Sequence, residues 1–255
     1  MNAQTVLLTR LICIQFLLLF LLTGLQAAQG EWELVKDEDN IQIFLRDVSY
    51  SDIQEYKGVI ELNTSVDSIV KVWDDTLAMQ EWFHRSRDTV LIEKNGFSER
   101  YNYQVSVYPF PASNRDIITK MKLSQTKGSD NIHISVQSAP TYCKDKDKEV
   151  CRKVNLSDLI HIRRLKGYFL IERLATHKVR VTWQMHTELE GSLPSWMVNQ
   201  KIVDIPFESF KSLRELVKRQ KYQKARLVYD DKGRIEGFHD FPYTGTSNLA
   251  KVDTF

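Results

Sequence analysis

The feature that most restricts this fold is a change of hydrophobic period at Gly191. Before it, Val179, Val181, Trp183, Met185 and Leu189 alternate with Lys178, Arg180, Gln184, His186 and Glu188. A two-residue period predicts a strand with one dry face and one wet face. After it, Trp196, Val203, Phe207, Phe210, Leu213 and Val217 fall on one stripe at helical spacing, the mark of an amphipathic helix. Pro206 lies inside that stretch and predicts a kink, because it removes a backbone donor. Upstream, "IQIFLR" and "DIQEYKGVIEL" read as two strands joined by a short turn. Further strands are predicted near 88–95, 98–108, 116–124, 131–138 and 159–174. Between the two groups, Val66, Val70, Trp73 and Leu77 are helically spaced behind cap residues in Asn63–Ser65. A sheet this long must cover its apolar face, and the final helix is the only sizeable element available. The expected class is α+β, a curved antiparallel sheet around a long C-terminal helix. Such a closure tends to leave a space between the two, and that space is a ligand cavity.

The 255 residues, 42% of them hydrophobic, suffice for one domain of about 200 residues with flanking ends. Basic and acidic side chains nearly cancel, 35 against 33. No tract joins dense Lys/Arg to stacking aromatics, which argues against nucleic acid as a partner. "LICIQFLLLFLLTGL" after Arg10, followed by "QAAQG", reads as a secretory signal peptide. The run is short for a bilayer span of about 20 residues, although an uncleaved anchor is the competing reading. Export would leave Cys143 and Cys151 bracketing the charged loop "KDKDKEV", and a disulfide is expected there in an oxidising compartment. No His or Cys cluster suggests a metal, and no cofactor is expected. The six histidines are scattered, and Gly-x-Ser-x-Gly, His-Glu-x-x-His and phosphate-cradling glycine loops are absent. No catalytic residue is nominated. His133 and His186 fall on the polar phase of their strands and are expected to be solvated.

"YPFPASNRD", followed by "GSLPSWMVNQ" and a long helix, resembles the START (steroidogenic acute regulatory protein-related lipid transfer) domain family over roughly Glu31 to Gln220. Trp32 matches the aromatic that opens many members. Pro111, Arg115 and Asp116 match the family's Pro-x-x-x-Arg-Asp signature. Gly191, Pro194, Trp196 and Asn199 match the entry to the terminal helix. The match is closest to phosphatidylcholine-transfer members. The resemblance implies a helix-grip fold enclosing a hydrophobic tunnel for one lipid. Phosphatidylcholine-binding relatives carry an arginine and an acid on either side of the tryptophan matching Trp82, where this chain has Met79 and Phe83. The acid–arginine pair of sterol-binding relatives falls on Asn102 and Met121. Neither a choline phospholipid nor a cholesterol-like ligand is therefore implied.

The organisation expected is a signal peptide over 1–30, a START-like domain over 31–222, and a tail over 223–255 with a small hairpin at "DDKG". The expected function is non-enzymatic binding and transfer of one lipid or other hydrophobic small molecule by an exported, periplasmic or secreted monomer. Candidate ligand residues are Met79, Trp82 and Phe83 near one end. On the sheet they are Asn102, Gln104, Arg115, Ile117, Met121, Trp183 and Met185; on the helix, Trp196, Val203, Phe207 and Phe210. Arg115 carries two readings, a corner-holding role with Asp116 or contact with ligand. Alternation alone turns Tyr101, Tyr103, Val105 and Val107 inward, whereas the family's phase turns Asn102, Gln104, Ser106 and Tyr108 inward. A bulge or a covered outer face must reconcile them. The basic run "KRQKYQKAR" is a candidate for transient membrane-surface contact, or a solvated helix end. An enzyme of the wider helix-grip superfamily, a hydrolase or cyclase, and an envelope protein-interaction module are the rival functions.

Overall fold

Asp39 and Asn40 both adopt positive φ, 54° and 58°, the backbone of a tight turn whose twist suits flanking strands. That turn joins β1 (Glu33–Glu38) to β2 (Ile41–Val48), and β3 (Ser51–Leu62) follows. In the computed structural model, which describes residues 30–108, 112–125, 130–144, 146–155 and 158–239, these strands open one curved sheet. The apolar leader, Cys13, Pro111 of the signature and the end of the tail lie outside those residues. The sheet continues with β4 (Ser86–Asn95), β5 (Glu99–Ser106), β6 (Arg115–Gln125), β7 (Ile132–Ser138), β9 (Arg164–Ala175) and β10 (Lys178–Glu188). Its order is β1-β2-β3-β10-β9-β7-β6-β5-β4. A short β8 (Ile160–His161) pairs parallel with β6, and the other pairings are antiparallel. β10 lies between β3 and β9, with Trp183 opposite Gly58 on β3 and Phe169 on β9.

α1 (Val66–Asp74) starts at Ser65, whose hydroxyl accepts from the Ser68 N–H at 3.1 Å. Its buried stripe includes Val66, Ile69, Val70 and Trp73. Leu77 departs from the expected stripe: α1 stops at Asp74, Thr76–Ala78 form a 3-10 turn, and Leu77 points to solvent. α2 (Met79–Trp82) then carries Trp82 inward. Arg100 on β5 is fully buried beneath the end of α1. It donates to the carbonyls of Trp73 and Asp74 at 3.2 and 3.0 Å, pairs with the Asp74 carboxylate at 2.5 Å, and lies 3.8 Å from the Trp73 ring.

On β5 the structure turns Asn102 and Gln104 toward the interior. Tyr101 and Tyr103 face a covered outer side, where they pack with Ile118, Tyr142, Val150 and the cystine Cys143–Cys151. The cover is α3 (Glu149–Asn155) and the loop before it. The disulfide thus does more than stiffen a charged loop: it holds an apolar cap on the back of the sheet. Glu93 fastens the same cap, because Lys148 and the Tyr142 hydroxyl bond its carboxylate and lower its pKa to about 2. Closing a loop of separation 8 removes chain entropy worth about 2–3 kcal/mol. A Cys143→Ser, Cys151→Ser double variant is expected to lose that much in urea unfolding. A loss near zero would show the cap to be held by packing alone.

The terminal helical region is divided. α4 (Ser195–Lys201) ends before a turn at Ile202–Val203, and α5 (Asp204–Leu216) follows, then a short α6 (Gln220–Gln223). Pro206 occupies the first turn of α5, and the break falls at Ile202, the residue four positions earlier whose carbonyl a proline cannot bond. α5 lies on β2 and β3. Gly58 permits the approach: a Cβ there would stand 2.7 Å from the Phe210 ring and 3.1 Å from Pro206. The final hairpin, β11 (Leu227–Tyr229) with β12 (Ile235–Phe238), is no loose tail; Leu227, Ile235 and Phe238 join the main core.

Candidate functional site: a cavity beneath α4

Between the inner face of the sheet and α4 lies a cavity of about 510 Å³, within the range of small-molecule sites. Its sheet wall comes from Gln104, Ile117, Thr119, Met121, Phe169, Trp183, Met185 and Leu189. Met79, Trp82 and Phe83 contribute from the α2 side, while Met197, Val198, Lys201, Ile202 and Ile205 cover it. Trp183 anchors an aromatic nest: it stacks on Phe169 at 4.9 Å and meets Phe83, Tyr56, Phe210 and Trp82 at 5.2 to 6.3 Å. Such pairs each add about 0.5–1.5 kcal/mol beyond burial, so this wall is rigid.

Polar groups interrupt the apolar lining. Gln104 and Thr119 are buried and reach the cavity. The indole N–H groups of Trp73, Trp82 and Trp183, all lining residues, are buried without an acceptor. The Tyr56 hydroxyl also lies here, and burial pushes its pKa well up. An interior of this kind can receive acyl chains and a few oxygen acceptors, because each indole donor is left wanting one.

Of the candidates read from the sequence, Met79, Trp82, Phe83, Gln104, Ile117, Met121, Trp183 and Met185 come together around this cavity. Asn102 sits behind the wall, where its amide donates to the sulfurs of Met79 and Met121 at 3.6 and 3.7 Å. The four helical candidates do not line it. Trp196 is 65% exposed on the outer side of α4. Val203 falls in the break between helices, and Phe207 and Phe210 pack α5 onto the sheet. A single stripe was expected along one long helix kinked at Pro206. Met197, Val198, Lys201 and Ile202 line the cavity from this segment instead.

Arg115 is likewise a structural group. Its guanidinium is buried and donates to three carbonyls: Ser113, Leu189 at 3.2 Å and Glu190 at 3.4 Å. Asp116 turns to the other side of β6 and accepts from Tyr103 at 3.1 Å, with His161 at 2.8 Å. The charge pair that restarts the strand thus pins two things: β8 to β6, and the loop that leads into α4. In that loop Glu190 and Gly191 both have positive φ, 53° and 77°. A second attachment comes from Asn199, which bonds the Asp52 carbonyl and the Gln54 N–H, each at 3.0 Å.

Sequence reading missed Phe169, Tyr56, Leu189 and the inner residues of α4 as lining. Leu189 stood on the dry phase of its strand, which was a usable signal. Phe169 becomes a neighbour of Trp183 only through cross-strand register. His186, expected in solvent, is buried against Tyr50 and Glu188 on the outer face. Three of the five cations in the basic run near the C-terminus are paired locally: Lys218 with Glu215, Arg219 with Glu81 and Lys221 with Asp75.

With that geometry established, similarity to known proteins is informative. Residues 18–223 match the START domain. A STAR-related lipid transfer protein from Xanthomonas axonopodis is 30% identical, with TM-score 0.64 over 74% of this chain and 99% of that one. Mouse (Mus musculus) phosphatidylcholine transfer protein is 24% identical over 173 residues, covering 67% of this chain and 76% of the relative. Human StAR-related lipid transfer protein 5, at 14% identity, shares the fold with TM-score 0.59 over 84% of this chain and 98% of its own. An antiparallel sheet gripping C-terminal helices, with the signature arginine and aspartate in place, makes this chain a member of the START domain family.

Proposed function

We propose that the protein binds one lipid in this cavity and carries it between membranes without altering it, as an exported domain. The observation that carries the reading is the apolar cavity roofed by a short helix that is separate from α5. An acyl chain in water costs about 0.8 kcal/mol per methylene, roughly 13 kcal/mol for sixteen carbons. A closed apolar chamber offsets that cost, whereas an open groove offsets only part. Release then needs the roof to move. Export is favoured by the leader's composition and by the Cys143–Cys151 bridge, which oxidising compartments maintain. Native mass spectrometry of the purified full chain is expected to show a co-purifying lipid. Vesicle assays should return transferred lipid chemically unchanged. Protein that is always empty, or lipid recovered cleaved or cyclised, would overturn carriage.

Membrane contact is assigned to α4 rather than to the basic run, most of whose cations are already paired. Trp196 and Met197 are exposed on the helix that borders the cavity, and an amphipathic ring suits the headgroup layer. Trp196→Glu is expected to weaken vesicle flotation about tenfold with an unchanged melting temperature. Equal flotation would move the contact elsewhere.

A further inference from the structure

We propose that the carried lipid bears a net negative head, a carboxylate or a phosphate ester with no compensating amine, and that Arg85 receives it. The inference rests on the lipid-binding reading above and narrows its ligand. Its first support is the charge of the lining. Among the described residues the cavity is bordered by His84, Arg85 and Lys201 and by no aspartate or glutamate. The acids nearest His84, Asp204 and Glu208, belong to α5 and lie outside the lining.

The second support is the state of Arg85 itself. Its Nε donates to His84 Nε2 at 3.1 Å, which requires that nitrogen to be unprotonated. Burial, and then Arg85 itself, depress the His84 pKa and keep it so. Among the described residues no carboxylate meets the guanidinium, and its terminal nitrogens remain available. A planar fork of donors at the edge of an apolar chamber matches carboxylate or phosphate oxygens two at a time.

The third support is backbone strain. Arg85 has φ 67°, a conformation costly for a residue with a β-carbon and concentrated at functional positions. The Val107 N–H bonds the Arg85 carbonyl at 2.9 Å, and the His84 N–H bonds Ser209 at 2.8 Å, so the strained segment is fixed between β5 and α5. Glycine would relieve the strain, yet an arginine stands there. A choline head fits poorly. It would bring a second cation to this end with no acid to meet it, and the Tyr108 ring already carries Arg115 and Arg85 at 4.9 and 5.5 Å.

The test uses delipidated full-length protein and three probes with the same fluorescent acyl chain: a fatty acid, phosphatidylglycerol and phosphatidylcholine. At least one anionic probe is expected to bind about tenfold tighter than phosphatidylcholine, equivalent to about 1.4 kcal/mol. Binding of the fatty acid alone would identify a carboxylate, and binding of phosphatidylglycerol alone a phosphate. Arg85→Gln should abolish the preference, bringing the favoured anionic probe down to the level of phosphatidylcholine in the same variant. Arg85→Gly, which relaxes the backbone and so keeps the fold, should do the same. Equal binding of all three probes, or a preference that survives Arg85→Gly, would overturn the inference and leave carriage standing. Failure to bind any of the three, in protein that also carries no lipid when purified, would bring down both.

Discussion

Arg100→Leu is expected to lower unfolding free energy by about 3–5 kcal/mol, the cost of stranding one partner of a buried ion pair. Arg100 is completely removed from solvent and its side chain is the principal counter-charge to Asp74, with Lys94 at 2.6 Å as the second. It also satisfies two carbonyls at the C-terminal end of α1, where the helix dipole favours a cation. Leucine removes all of these at once. Burial alone would raise the Asp74 pKa, but Arg100 and Lys94 outweigh it and hold it below the usual value. The stabilisation is therefore present above the ordinary carboxylate pKa, near 4, and is lost as pH falls through the lower folded value. Urea unfolding of wild type and variant across pH 2 to 7 measures both effects. Arg100→Leu combined with Asp74→Leu should recover part of the loss, since the Asp74 carboxylate is then no longer stranded and Lys94 is the charge that remains. A single-variant cost below about 1 kcal/mol would mean that water reaches the site.

Met121→Trp is expected to cut lipid uptake about tenfold with little change in stability. Met121 projects into the cavity from β6, beside the Asn102 amide. An indole there occupies room that roughly two methylenes would fill, and at about 0.8 kcal/mol each that costs a factor of ten or more. Because the ring enters empty space, overpacking strain stays small. Adding Met185→Trp from the neighbouring wall should abolish uptake. Uptake equal to wild type in the double variant, with the fold intact by circular dichroism, would place the lipid elsewhere.

These residues also show what a sequence discloses. Strand β10 was legible because its alternation is local and uninterrupted, and Ser65 was legible as a cap because capping is chemistry within three residues. β1 was not read as a strand. "ELVKDE" is an exposed edge with no dry side to alternate against; Leu34 and Val35 both face solvent. The inward turn of Asn102 and Gln104 came from family phase, and its physical cause, the cystine-bound cap over Tyr101 and Tyr103, lies some forty residues away in sequence. Met121, Trp183 and Met185 were placed at the cavity by phase alone. The α4 face was misplaced because the stripe was drawn through Trp196, which is exposed, rather than through Val198 and Ile202, which are equally apolar in the sequence and are buried. Arg85 and Arg100 were invisible for another reason: a positive φ and a long-range ion pair are products of tertiary context.

The two-residue interruption between α4 and α5 has a kinetic meaning. α5 is wedged against Gly58 and cannot lift without disturbing the main core. α4 is tethered to the first residues of β3 by the paired bonds of Asn199, and a neutral hydrogen bond is worth about 0.5–1.5 kcal/mol. If the proposed carriage holds, opening the chamber would be a local excursion of α4 rather than global unfolding. Cargo exchange and thermal endurance would then be tuned by different residues of the same chain.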